Sequence, residues 1–272
     1  MKFTFVGTGS AFCLKNFQCN ILIENEDKKL LIDAGGDIRF ALNEQQLSYK
    51  DVDALYITHP HQDHIGGIEY LALTSYFDPG KSPIEYYGHR GLTNDVWTAI
   101  SPGLATLQGI TASFGTFFNM NIIKENGEFS WQSIRFELIQ SVHIMNKYSI
   151  MPSFGLMMTT EKGTKVYYPS DTQFAPNQMK DFYRESDIIF HDCETSPFWS
   201  QVHSHYEELK TLDKEHKSKM WLLHYQDNVV EDWEGWNQKA REDGFLGFLK
   251  KGQVIEVDEK AKPSQLETKK GA

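Results

Sequence analysis

Thr58-His59-Pro60-His61-Gln62-Asp63-His64-Ile65-Gly66-Gly67 sets four side chains able to bind a metal close together in the chain. The apolar run Ala54-Leu55-Tyr56-Ile57 precedes them, and Gly66-Gly67 follows. This order predicts a buried strand that ends in a ligand-bearing loop and gives way to a helix. Imidazole and carboxylate are the groups that zinc and its first-row neighbours bind. A lone His would read as a polar loop residue. H-x-H-x-D-H directly after a β-type run reads as a metal loop.

Working outward, Asn20–Glu24 and Lys29–Asp33 read as two strands of a hairpin around Asn25-Glu26-Asp27. Lys2–Val6 alternates like a strand and meets the tight turn Gly7-Thr8-Gly9-Ser10, which lacks dinucleotide or P-loop spacing. Ile38, Phe40, Ala41, Leu42 and Leu47 suggest a helix, as do Ile65, Ile68, Leu71, Ala72 and Phe77 after the cluster. Ile84–Gly88 reads as a strand, and Leu92–Leu107 as a helix broken at Pro102-Gly103. The apolar stretch from Phe114 to Met120 reads either as a buried turn or as an arm. Residues 74–131 would then form a lid over the site or a dimer arm.

Later strands repeat the theme of the opening stretch. Ser133–Val142 runs into His143, Lys165–Tyr168 into Asp171, and Met220–Leu223 into His224. Phe154–Thr160 is a strand, and Asp187–Phe190 is another that ends in His191-Asp192-Cys193-Glu194-Thr195. Tyr206–Leu212 and a stretch near 231–240 look helical, and Val254–Val257 is a last strand. The expected domain is 1–258, and the polar tail 259–272 is expected to be disordered. Strands that end repeatedly in His or Asp describe a site at one edge of packed sheets.

Bulk properties narrow the function. The chain has 272 residues, 40% of them hydrophobic, and a formal net charge of −10. An acidic surface disfavours a large nucleic-acid footprint. Cys13, Cys19 and Cys193 show no C-x-x-C spacing, which suits a reducing compartment. No run approaches membrane-spanning length, and the short apolar start does not resemble a signal peptide, so a cytoplasmic protein is expected.

His59-x-His61-x-Asp63-His64, followed in order by His143, Asp171 and His224, resembles the metallo-β-lactamase superfamily. The resemblance implies an α/β fold, the four-layer αββα sandwich, with metals at one sheet edge. It implies His59, His61 and His143 around one divalent ion, Asp63, His64 and His224 around a second, and Asp171 as the bridge. Zn²⁺ is the expected ion, and Mn²⁺, Fe²⁺ or Co²⁺ suit the same donors. Gly7-Thr8-Gly9-Ser10-Ala11 and His203-Ser204-His205-Tyr206-Glu207 resemble the ribonuclease Z-like phosphodiesterase branch. That likeness implies His203 as general acid or phosphate donor, with Asp192 or Glu194 supporting it. The catalytic set is therefore read as His203, Asp63 and Glu194. His205 is the alternative to His203.

Ribonuclease Z inserts a long basic arm between its third His and the bridging Asp. Here strands fill the short interval from His143 to Asp171. Asn16-Phe17-Gln18-Cys19-Asn20, Asp37-Ile38-Arg39-Phe40, His143-Ile144-Met145-Asn146-Lys147-Tyr148 and Asp192-Cys193-Glu194-Thr195 are similar to the anti-Pycsar group of cyclic-nucleotide phosphodiesterases. That resemblance implies a homodimer acting on small cyclic nucleotides, including the pyrimidine ones. The readings kept beside it are a tRNA 3′-processing endonuclease, a lactonase or thioesterase, and a metal-dependent binding protein without turnover. Lys147 and Tyr148 read as substrate contacts or a solvated loop. Ser153, Phe154 and the aromatics of 114–118 read as a base platform or as core. His191 reads as a satisfied structural residue, and His89 and His216 as surface ones.

Overall fold

The computed structural model describes residues 1–124 and 127–257, together with the strand Thr268–Lys269. One sheet has eight strands, in the order Thr268–Lys269, Val254–Glu256, Lys2–Gly7, Asn20–Asn25, Lys28–Ile32, Ala54–Tyr56, Ile84–His89 and Phe118–Ile123. The other has seven, in the order Gly247–Phe248, Met220–Leu223, Ile188–Asp192, Lys165–Tyr168, Phe154–Thr159, Ile134–Gln140 and Glu128–Trp131.

Apolar runs such as Ile21-Leu22-Ile23 and Leu30-Leu31-Ile32 belong to strands buried on both faces. Alternate residues divide between two cores because side chains leave a strand with a period of two. Ile21, Ile23, Leu30, Ile32, Ala54 and Tyr56 meet Leu156, Met158, Val166, Tyr168, Ile188 and Phe190 between the sheets. Leu22, Leu31 and Leu55 face outward and pack under helices Ile38–Glu44, Ile68–Tyr76 and Arg90–Leu104. On the other outer face Met157, Tyr167, Ile189 and Leu222 pack under helices Pro176–Glu185 and Trp233–Glu242. Three cores between four layers make the expected αββα sandwich. The first hairpin closes with Asn25 paired to Lys28. Glu26 and Asp27 sit at φ 50° and 61°, the left-handed pair that a tight two-residue hairpin turn requires.

Several expectations need correction. The helix after the cluster is two helices, Gln62–Ile65 and Ile68–Tyr76, separated at Gly66-Gly67. Phe77 follows them and is 68% exposed rather than part of the core face. The helix Arg90–Leu104 runs through Pro102 instead of breaking there. Proline supplies no amide for the Thr98 carbonyl, and Ser101 Oγ donates to that carbonyl at 3.4 Å. Phe114–Phe117 is a short helix leading into an edge strand, and Phe114, Phe117 and Phe118 are buried beneath the helical layer. The interval 74–131 thus supplies helices, sheet strands and a separate two-stranded hairpin, Thr106–Leu107 with Ile110–Thr111, and the aromatics of its apolar stretch pack as core. The tail 259–272 lies outside the described residues except for Thr268–Lys269, which pairs with Val254 and Ile255.

The strands Phe154–Thr159 and Lys165–Tyr168 lie in the interval between His143 and Asp171, as expected, after a non-strand stretch at 144–153. Among the described residues, no helix is long and apolar enough to cross a membrane.

Candidate metal centre

Strand ends from both sheets deliver the candidate ligands to one edge. Ala54–Tyr56 leads to His59, and helix Gln62–Ile65 carries Asp63 and His64. Ile134–Gln140 leads to His143, Lys165–Tyr168 to Asp171, and Met220–Leu223 to His224. The sheets are tied at this edge: Phe154 N donates to Thr58 O at 2.9 Å, and Tyr56 OH donates to Phe154 O at 2.9 Å.

Three groups of possible ligands share Asp171, the third made with Asp192 and His203. In the first, His61 Nδ1 lies 3.1 Å from both His59 Nε2 and His143 Nε2. Asp171 Oδ2 lies 3.6 Å from His59 Nε2 and 3.7 Å from His143 Nε2. In the second, His64 Nε2 lies 3.2 Å from Asp63 Oδ2 and 3.3 Å from Asp171 Oδ2. His224 Nε2 lies 3.4 Å from each of the same two oxygens. Donors bound at 2.0–2.2 Å around a tetrahedral ion stand about 3.3–3.6 Å apart, so both groups are close to the right size for one. His64 Nε2 and Asp171 Oδ1 are buried without a hydrogen-bond partner. Buried polar atoms without partners beside these donor groups suit a bound cation.

Neighbouring groups fix which nitrogen is bare. Thr58 Oγ1 donates to Asp33 Oδ2 at 2.8 Å, so it accepts from His59 Nδ1 at 3.0 Å. His64 Nδ1 donates to Asp33 Oδ2 at 2.7 Å, and His143 Nδ1 donates to Val202 O at 2.7 Å. Each of these three rings therefore turns an unprotonated Nε2 toward the centre when neutral, as a ligand must. Sequence reasoning gave Asp33 no role. It sits at φ 63° at the end of a hairpin strand, and a polar residue ending an apolar run was its only signal. The turn Gly7–Ser10 is also part of the mounting: His224 N donates to Thr8 O at 2.7 Å, and Ser10 N to Tyr225 O at 3.0 Å.

Charge follows geometry. Burial holds the His59 imidazole well below its ordinary range, helped by His64 and His143, and brings His143 down to about 4. Burial acts the same way on His64 but is outweighed by Asp63, Asp171 and Asp33, which raise it well above its usual value. Burial would raise Asp171 and Asp63. Neighbouring histidines overcome it and hold both carboxylates far below the ordinary carboxylate range. Ionised carboxylates and bare imidazoles in a dry edge favour positive charge at their centre.

Beside the ligands, His203 Nδ1 donates to Asp192 Oδ2 at 3.1 Å, and its ring stacks on His224 with centroids 4.8 Å apart. Burial would lower His203, but the Asp192 hydrogen bond and the charges of Asp171, Asp192 and Glu194 raise it to about 9. The carboxylate bonded to His203 is Asp192, not Glu194, which corrects the catalytic set read from sequence. Glu194 accepts instead from Ser196 Oγ, Ser200 N and Ser200 Oγ, and so shapes the loop before His203. His205 is turned away. Its Nδ1 caps a short helix by accepting from Glu207 N, and Nε2 lies 3.1 Å from Ser196 O.

His191 is fully buried and satisfied by Tyr183, as expected. His89 and His216 are half-buried rather than surface residues: His89 packs on Phe154 and His216 on Tyr183. Tyr148 is 87% exposed beside Lys147, and Ser153 is buried. The aromatics of 114–118 are core.

The family model described as anti-Pycsar protein Apyc1 matches residues 1–255. The chain is 31% identical over 257 residues to the anti-Pycsar protein Apyc1 of Paenibacillus sp. (strain J14), covering 93% of this chain and 98% of that protein. It is 30% identical over 241 residues to the protein of that name from Bacillus phage vB_BveM-Goe7, covering 85% and 91%. Among solved structures it resembles the metallo-beta-lactamase fold protein YhfI from Bacillus subtilis, with a TM-score of 0.72 and 18% identity over 94% of this chain and 99% of that one. A diphosphatase from the PhnP family aligns with a TM-score of 0.71 and 15% identity, over 94% and 98%. These two likenesses show the fold.

Proposed function

The chain belongs to the anti-Pycsar Apyc1 family, and on that premise we propose that it hydrolyses 3′,5′-cyclic mononucleotides to linear nucleotides. It is a metal-dependent hydrolase with the metallo-β-lactamase fold. The match across residues 1–255 carries the reading. The short path from His143 to Asp171, which includes two sheet strands and no long arm, supports a small substrate over tRNA. In this reading cCMP and cUMP are substrates as well as cAMP and cGMP, and the role is to counter cyclic-nucleotide antiphage signalling. A homodimer and a cytoplasmic location belong to the same proposal, and light scattering of the purified chain decides the first.

His59, His61, His143 and Asp171 would hold one divalent ion, and Asp63, His64, His224 and Asp171 the other, with Zn²⁺ the expected metal. When bound, such a pair neutralises phosphoryl oxygens and activates water. The chain's residues then orient the cyclic diester for in-line attack, in which the new P–O bond forms as one ester P–O bond breaks. His203 is the proton donor to the leaving alkoxide. Its Nδ1–H is held by Asp192, so Nε2 is the nitrogen left to face substrate.

Incubation with a panel of 3′,5′-cyclic mononucleotides and dinucleotides, with products resolved by chromatography, tests the function. No turnover on any of them refutes it. His203→Gln should lower kcat by roughly 10²–10⁴-fold while metal content is kept. Parallel loss of metal and turnover would remove His203 from the donor role.

A further inference from the structure

Behind His203 lies a second line of buried polar groups that the ligand scheme does not use. Tyr183, on helix Pro176–Glu185, places its hydroxyl 2.7 Å from His191 Nε2. His191 Nδ1 lies 2.8 Å from the Asp192 carbonyl oxygen and 3.2 Å from Asp192 Oδ1. Asp192 Oδ2 accepts from His203 Nδ1 at 3.1 Å and from Thr172 N at 3.2 Å. Tyr183, His191 and Asp192 are each at most 1% exposed, so water does not substitute for any of these contacts.

The chemistry of the partners fixes the protons. Both Asp192 oxygens facing His191 Nδ1 only accept, so Nδ1 must carry hydrogen. A neutral ring then has a bare Nε2, and the Tyr183 hydroxyl donates to it. With the hydroxyl removed, the ring loses the contact that favours this tautomer, and the other tautomer would turn a lone pair toward two oxygens.

We propose that Tyr183 and His191 are positioning residues of the reaction: Tyr183 fixes the His191 tautomer, and His191 holds Asp192 in the place from which it orients His203. The Asp192 carboxylate reaches from its strand end to a loop residue eleven positions on. Thr172 steadies one oxygen of that carboxylate. His191 Nδ1 bonds the Asp192 carbonyl oxygen and stands 3.2 Å from Oδ1, which has no hydrogen bond of its own. The line therefore runs from the outer helix through the second sheet to the reaction edge.

The kinetic part of the inference rests on the proposed activity, and the tautomer part does not. Long-range proton–nitrogen NMR of the metal-loaded protein should show His191 as the Nδ1–H tautomer, its signals assigned by their loss in His191→Asn. Tyr183→Phe should lower kcat about tenfold, with KM within about twofold and metal content unchanged. His191→Leu should do the same, and His191→Asn, whose amide can donate near the Nδ1 position, should keep kcat within about threefold of wild type. An Nε2–H tautomer at His191 overturns the proposal. So does unchanged kcat in both Tyr183→Phe and His191→Leu, or a loss that follows metal content. Bis-p-nitrophenyl phosphate is run beside the cyclic nucleotides. A wild-type protein that cleaves only the former refutes the cyclic-nucleotide reading and still decides the positioning role.

Discussion

Asp33 shows how much of a metal site can rest on a residue that binds no metal. Its two oxygens accept from Thr58 N, Thr58 Oγ1 and His64 Nδ1, all within 2.8 Å. Through these bonds it sets the ring of His64 directly and that of His59 by way of Thr58. An amide in its place would bring an NH₂ against a donor in either orientation. Asp33→Asn should therefore weaken metal affinity by about 10–100-fold. Competition with a chromophoric chelator measures this, and an unchanged affinity would show that ligand orientation does not depend on Asp33. The ligands themselves were legible because four are adjacent in the chain and three end apolar runs. Asp33 also ends such a run, yet its task depends on a left-handed backbone and on partners far along the chain. The choice between Asp192 and Glu194 was illegible for a similar reason. Residues two apart on a strand share a face, so the period of two does not separate them; the strand ends at Asp192, and only the fold says which one meets His203.

Among the elements, the glycine-containing turn after the first strand has a role that its spacing did not reveal. It holds the backbone of His224, which sits at φ 60°. Gly7 is required there because a Cβ would fall 1.9 Å from Gln18 O. The turn is secured by Tyr225 OH, which lies 2.9 Å from Thr8 Oγ1, accepts from Asn16 Nδ2 at 3.1 Å and donates to Leu249 O at 2.7 Å. The Asn16-Phe17-Gln18-Cys19-Asn20 motif thus works as a clamp: Asn16 grips the turn, and Asn20 Oδ1 accepts from Gly35 N at 2.8 Å beside the ligand helix. Tyr225→Phe removes the hub and leaves buried partners unmatched. It should cost about 1–3 kcal/mol of unfolding free energy. Urea denaturation checks this, with the midpoint lowered and the slope unchanged. A midpoint equal to wild type would mean that the clamp is redundant. Strands and layers were readable from their period of two, whereas this clamp joins residues more than two hundred positions apart.

At the scale of the whole molecule, the sandwich buries a cluster of ionisable groups at one edge, and this makes the stability of the metal-free chain depend on pH in a defined way. His143 is held down to about 4 by burial, and His59 lies well below its ordinary range for the same first cause. An unfolded chain protonates both near pH 6.5. Between that pH and about 4 the unfolded state binds more protons than the folded one, so stability falls as pH falls. His143 alone accounts for about 3 kcal/mol over this window. Asp63 and Asp171, held low by their histidine neighbours, contribute stability that is present above the unfolded carboxylate range and lost as pH falls further. His203 acts in the opposite sense. Raised to about 9, chiefly by the Asp192 hydrogen bond against the effect of burial, it contributes stability that is complete below about pH 6.5 and lost as pH rises through 9. The chelated protein should therefore be most stable near neutrality and lose stability on both sides. Thermal unfolding of the chelated chain from pH 4 to 10 measures the profile. Restoring Zn²⁺ should raise Tm at every pH where the ion binds, because binding to the folded state alone shifts the equilibrium by mass action. A chelated chain whose Tm is flat from pH 4 to 7 would show that His59 and His143 do not resist protonation in the fold, and the electrostatic account of the site would fail with it.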